Sequence, residues 1–102
     1  MTRSPLATLA AEVAATTPGA VGRTEGHTTI WSAAGKPFAA LSGDSIEFRL
    51  DAVVGPAARR TPGAISSTRG DDWVAFRPSD LDQYAEDRVR AWFAAAHRRA
   101  TV

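Results

Sequence analysis

The stretch from His27 to Leu50 constrains this chain most, because it sets three strand-like runs in quick succession, separated by two tight turns. Thr28, Thr29, Ile30 and Trp31 suit a pleated, half-buried surface and open a strand running from His27 to Ala33. Ala34-Gly35 follows, and glycine supplies the positive φ that a short hairpin requires. Pro37 cannot donate a ladder hydrogen bond, so the strand Phe38–Leu41 is expected to begin after it or to lie on a sheet edge. Ser42-Gly43-Asp44 makes the second turn. Ile46, Phe48 and Leu50 then alternate with Glu47, Arg49 and Asp51, which places one face of the third strand in a core and the other in water.

Helical signals flank this meander. Ser4 followed by Pro5 is a helix start: serine can accept hydrogen bonds from the free N–H groups, and proline suits the first helical position. Leu6, Leu9, Ala10 and Val13 recur on one face. Thr16-Thr17-Pro18-Gly19 stops the helix, since Pro18 disfavours helical geometry at Thr17. The segment Ala20–Gly26 is polar and glycine-containing and reads as a loop. Beyond the meander, Asp51 can cap a turn at Ala52-Val53-Val54, Gly55-Pro56 limits its length, and Pro56 can start a second turn through Arg59-Arg60. Thr61-Pro62-Gly63 is a turn signal, and Ser66, Ser67 and Thr68 read as loop.

Trp73 to Arg77 is expected to be a short strand with Val74 and Phe76 on one face, ended by Pro78. Ser79 is expected to cap a final helix, with Asp80 in its first turn and Asp82 at capping-box spacing. Leu81, Ala85, Val89, Trp92, Phe93 and Ala96 form its apolar stripe, and Arg98 and Arg99 close it where the helix dipole favours cations. The order predicts a single α+β domain over residues 1–102. It consists of an antiparallel β-sheet of four to five strands with the N- and C-terminal helices packed on one face.

A chain of 102 residues is long enough to bury a core, and its 44% hydrophobic and 23% charged residues are those of an ordinary globular domain. Its formal net charge of +1 offers no bulk attraction to nucleic acid or to an anionic membrane. Cysteine is absent, which removes disulfides, thiolate catalysis and cysteine-held metal centres. Met1 to Gly19 is alanine-rich, but Glu12 interrupts it and no strongly basic start precedes it, so it is not read as a secretory leader. No apolar run reaches membrane-spanning length, and a cytoplasmic setting without membrane contact is the expectation.

Chemistry-bearing residues are scattered. His27 and His97 have no carboxylate pair or cysteine at ligand spacing, so no metal is expected. Asp71-Asp72 follows Gly70 as a turn, while Glu86 and Asp87 share a polar helix face with Arg88 and Arg90. Ser66 and Ser67 lack a neighbouring base and nucleophile-elbow glycines, so neither reads as a nucleophile. No catalytic constellation, dinucleotide fingerprint or phosphate-cradling loop is present, and neither enzyme activity nor a cofactor is expected. Trp31, Trp73 and Trp92 are too far apart for a base-stacking platform. Most aromatics belong to the core, and Trp73, out of phase with Val74 and Phe76, is expected beneath a helix or exposed.

Arginine is the surface signal with content, since every basic residue except Lys36 is Arg. Arg59, Arg60 and Arg69 flank the excursion after the meander, and Arg49 and Arg77 are expected on the solvent face of strands. Folded together, they would form a basic face for nucleic acid. The interleaved Glu47, Asp51 and Asp71-Asp72 favour the plainer reading, dispersed and paired charge.

Several of these pieces occur in the order found in the MmcQ/YjbR-like family. They are Pro18-Gly19 after the first helix, Gly35-Lys36-Pro37-Phe38-Ala39 entering a strand, and Ile46-Glu47-Phe48-Arg49-Leu50. Thr61-Pro62-Gly63 and Trp73-Val74 ahead of a terminal helix complete the set. The chain resembles that family over nearly its whole length. It departs from it at Ala94-Ala95-Ala96-His97-Arg98, where a serine-aromatic ending is usual, and in its short meander. The resemblance implies a CyaY-like, double-wing α+β fold and a nucleic-acid- or partner-binding module with no established catalytic site. DNA binding through Arg49, Arg59, Arg60, Arg69 and Arg77 is the sharper functional expectation. Self-association, for instance through the Pro37 strand edge, or binding to another protein is the alternative.

Overall fold

A computed structural model describes residues 4–102; Met1–Arg3, the start of the stretch weighed as a leader, lies outside the described residues. Helix α1 (Pro5–Ala15) leads into strands β1 (Val21–Glu25), β2 (Thr28–Ala33), β3 (Lys36–Ser42) and β4 (Ser45–Arg49). Helix α2 (Val54–Arg59), strands β5 (Ala64–Ser66) and β6 (Trp73–Phe76), and helix α3 (Gln83–Thr101) complete the chain. All six strands join one antiparallel sheet in the order β1-β2-β3-β4-β6-β5. The α+β class and the terminal helices are as expected, with the strand count slightly above the expected range.

The meander is built from two-residue hairpins whose chemistry is local. Ala34 and Gly35 both take positive φ, 52° and 76°, as a type I′ turn requires, and Gly43 at 58° opens a type II′ turn ahead of Asp44. Gly26, at 61°, opens a further II′ turn that differs from expectation. It converts the expected loop Ala20–Gly26 into β1, paired with β2 from Val21↔Ser32 to Glu25↔Thr28. Every residue of β1 is exposed, so the strand carries no hydrophobic alternation to betray it. β5 is silent in the sequence for a similar reason: it has three residues, and its pairing with β6 holds it.

Pro37 does not mark an edge. β3 lies inside the sheet between β2 and β4, and Pro37 is tolerated because the β4 ladder begins only at Ala39. On the β2 side Ser32 pairs with Pro37 and Trp31 with Ala39, so Phe38 is an extra residue in the ladder. Such a bulge re-aims a side chain. Here Phe38 turns to the helix side beside Ala39, fully buried, with its ring 5.2 Å from that of Phe93.

One core lies between the sheet and the helices. It joins Leu6, Leu9, Ala10 and Val13 of α1 to Ile46, Phe48 and Leu50 from the third predicted strand, and to Val74 and Phe76 of β6. Val89, Trp92, Phe93 and Ala96 of α3 complete it. Phe93 is its hub, making edge-to-face contacts with Trp31, Phe38 and Phe48 at 5.6, 5.2 and 6.4 Å.

The ends of the helices follow capping chemistry, with two shifts from expectation. Ser4 Oγ accepts from Ala7 N, as its position before Pro5 implies. Asp51 Oδ1 accepts from Val53 N and Val54 N, which starts α2 as one short helix running through Pro56, not as two separate turns. α3 begins at Gln83, four residues after Ser79, with Asp82 as its cap accepting from Ala85 N at 2.9 Å. Asp80 therefore lies outside the first turn, where Glu86 sits instead. Asp82→Ala should cost about 1 kcal/mol and Ser79→Ala less than about 0.5, read from urea unfolding midpoints. Equal losses would restore the earlier helix start.

Candidate functional site

The chemistry of the surface gathers where β4 ends, β6 begins and α3 terminates. Arg49 is the last residue of β4 and pairs across the sheet with Trp73, the first of β6. Leu50 N donates to the Asp72 carbonyl at 2.8 Å, and Trp73 N to the Gly70 carbonyl at 3.2 Å, which fixes the Gly70–Asp72 turn against the end of β4. The turn points Asp72 at two cations. Its Oδ2 accepts from Arg49 Nε at 2.7 Å and from an Arg99 Nη2 reaching over from the last turn of α3 at 3.0 Å. Arg49 chiefly, and then Arg99, hold the Asp72 carboxyl below the usual carboxylate range. Asp51 is lowered as well, first by the backbone N–H groups of Val54 and Val53 and further by Arg99 and Arg98.

A second cluster sits on the sheet face away from the helices. Residues directly opposite one another share a face, and Ile30, Ala40, Glu47, Ala75 and Ile65 form one such row. Glu47 Oε1 accepts from Arg69 Nε at 3.0 Å, and its Oε2 accepts from Ser67 Oγ. The Arg69 guanidinium also lies over the Trp73 ring, 5.6 Å from its centre. Trp73 is thus neither under a helix nor free: it is half-buried beneath an arginine on the outer face. Arg59 Nη2 donates to the Asp71 carbonyl, which anchors α2 to the same turn.

The five arginines singled out from the sequence therefore separate. Arg49, Arg59 and Arg69 converge around Glu47 and the Asp71-Asp72 turn, and each is tied to an acidic residue's side chain or carbonyl. Arg60, just past α2, is exposed, and Arg77 lies at the opposite end of β6, bordering a cavity with Asp44 and Pro5. Neither forms an ion pair among the described residues. Exposed and half-exposed pairs of this kind contribute little stability individually, so their effect is chiefly to position the side chains.

Sequence reasoning missed Lys36 and did not join Arg99 to this site. Lys36, Arg49 and Arg99 line a notch of about 240 Å³ floored by Pro37, Phe38, Ala96 and Ala100. No carboxylate is among its lining residues; Asp72 pairs with Arg49 and Arg99 outside that lining, and Asp51 also attracts Arg99. The volume is below that of a drug-sized pocket and suits a small anionic group. The only sequence signal was Lys36 next to the Pro37 strand, and it needed the docking of α3 to acquire meaning.

The histidines stay apart. His27 is exposed in the β1–β2 turn, whereas His97 packs its ring 5.5 Å from Phe38, with Nε2 buried and lacking a hydrogen-bond partner among the described residues. Among the described residues no helix is long and apolar enough to cross a membrane. No family model, curated protein or solved structure matches the chain.

Proposed function

We propose that this domain is a binding module for a polyanion, duplex DNA foremost, which it engages through the basic notch and the arginines beside it. The observation that carries the reading is the notch itself, where three cations line a space with no acidic residue among its walls. Cations held in place by ion pairs lose less side-chain freedom on meeting a phosphate, and Asp72 holds Arg49 and Arg99 in this way. Lys36 in the notch and Arg60 at the end of α2 are exposed and without acidic partners among the described residues, which leaves both free to meet phosphates. The reading agrees with what the resemblance to the MmcQ/YjbR-like family implies. It replaces the expected arginine set, because Arg77 lies at the far end of β6.

Fluorescence anisotropy with several labelled duplexes at low salt tests the proposal. Binding is expected to be weak, similar across sequences and steeply reduced by salt, because each phosphate contact releases counterions. Lys36→Ala and Arg60→Ala should each lower affinity for every duplex alike and reduce the salt slope by about one. Absence of binding at low salt would overturn the DNA reading, and so would affinity unchanged in both variants.

A further inference from the structure

The sheet has two open edges of unequal length. β5 has three residues, whereas β1 has five, all exposed, with no proline or lysine to deter pairing. β1 is closed onto β2 by the two-residue turn Gly26-His27. In such a hairpin the closing pair, Glu25 and Thr28, exchanges both of its hydrogen bonds, and bonded pairs then alternate along the ladder. Arg23 and Val21 accordingly spend their backbone groups on Ile30 and Ser32. Gly22 and Thr24 aim their N–H and C=O groups outward, away from the sheet.

We infer that β1 pairs antiparallel with β1 of a second copy of this chain, with the two-fold axis at Thr24. In that register the two Thr24 residues exchange their outward hydrogen bonds on the axis. Arg23 of each copy falls opposite Glu25 of the other, at a non-hydrogen-bonded position, where cross-strand side chains stand closest. Within one copy Arg23 and Glu25 already form a 2.6 Å ion pair on one face of the strand. The paired edges therefore bring together four charges of alternating sign. The neighbouring register, with the axis at Arg23, sets Arg23 against its own copy, and like charges directly opposite are destabilising. Backbone geometry allows both registers, since Gly22 and Thr24 can meet their counterparts in either, and charge selects the alignment at Thr24. The contact is isologous and closes as a two-fold dimer, so it satisfies the edge without seeding a longer array. It differs in place from the Pro37 edge expected from the sequence, which lies within the sheet, and it does not depend on the polyanion reading.

Charge reversal tests it, with light scattering across micromolar to millimolar concentrations as the readout. The native chain should show a concentration-dependent dimer. Arg23→Glu and Glu25→Arg should each weaken it by on the order of tenfold, because both symmetry-related pairs become repulsive. The double variant R23E/E25R, and an equimolar mixture of the two single variants, should recover association. Both side chains are more than half exposed, at 73% and 56%, so the variants should retain the native circular dichroism spectrum. A native chain that stays monomeric at every concentration overturns the inference. So does a dimer indifferent to either reversal, or one that the double variant fails to restore.

Discussion

Phe48→Ala is expected to remove about 3–5 kcal/mol of stability, the cost of truncating a buried aromatic whose cavity collapses only in part. Phe48 is fully buried in β4, flanked across the sheet by Ala39 and Val74. Its ring meets those of Trp92 and Phe93 edge-on at 6.2 and 6.4 Å. Ala39 has no spare atoms to fill the void, and the two rings opposite are held by their own contacts with Phe76, Trp31 and Phe38. For a domain of this size the loss is a large share of the roughly 5–15 kcal/mol that separates folded from unfolded chains. It should lower Tm by on the order of 15–30 °C. Urea unfolding should show a lower midpoint with an unchanged slope. A variant that melts with the native protein would reject the strand register on which the core depends.

A carboxylate at Val89 should do at least as much damage. Val89 is fully buried on α3, in the core between that helix and the sheet. Val89→Asp leaves the new carboxyl two poor options, ionising unpaired in the core or protonating and giving up hydration. The expected outcome is a chain largely unfolded at physiological temperature, read from the loss of its helical circular dichroism signal. Ala91, two residues later on the same helix, is exposed, so Ala91→Asp should shift stability by less than about 0.5 kcal/mol. Similar losses at both positions would mean that α3 is rotated from the face described.

The alanines of α3 show where sequence reading succeeds. Leu81, Ala85, Val89, Trp92, Phe93 and Ala96 repeat at the helical period, so the buried face of α3 is legible in the order of its residues, although Leu81 precedes the first helical residue. The β4 alternation is equally legible, since Ile46, Phe48 and Leu50 must all face one side once the segment is extended. The turns at Ala34-Gly35 and Gly43-Asp44 are readable because positive φ is a demand that few residues meet. β1 and β5 offer no such signal. Their residues are exposed or half-exposed, and they are strands only because β2 and β6 present free hydrogen-bonding groups to them.

The start of α3 is ambiguous for a different reason. Ser79, Asp80 and Asp82 are all good caps, and a local rule cannot choose among acceptable acceptors. Packing chose Asp82, at the start of the helix that carries Val89, Trp92 and Phe93 onto the sheet.

What the sequence determined by itself was the set of elements with a strong period or an obligatory backbone conformation: both terminal helices, the central strands and their hairpins. Periodicity and positive φ act over a few residues, so a single chain displays them directly. Tertiary structure alone decided which strand was an edge, how the Phe38 bulge turned that ring into the core, and which cations met. Lys36, Arg49 and Arg99 come from two strands and the end of a helix, far apart in the chain, and share one notch only because α3 lies across β3 and β4. Spatial convergence of charge depends on long-range packing, and no local pattern in the chain encodes it.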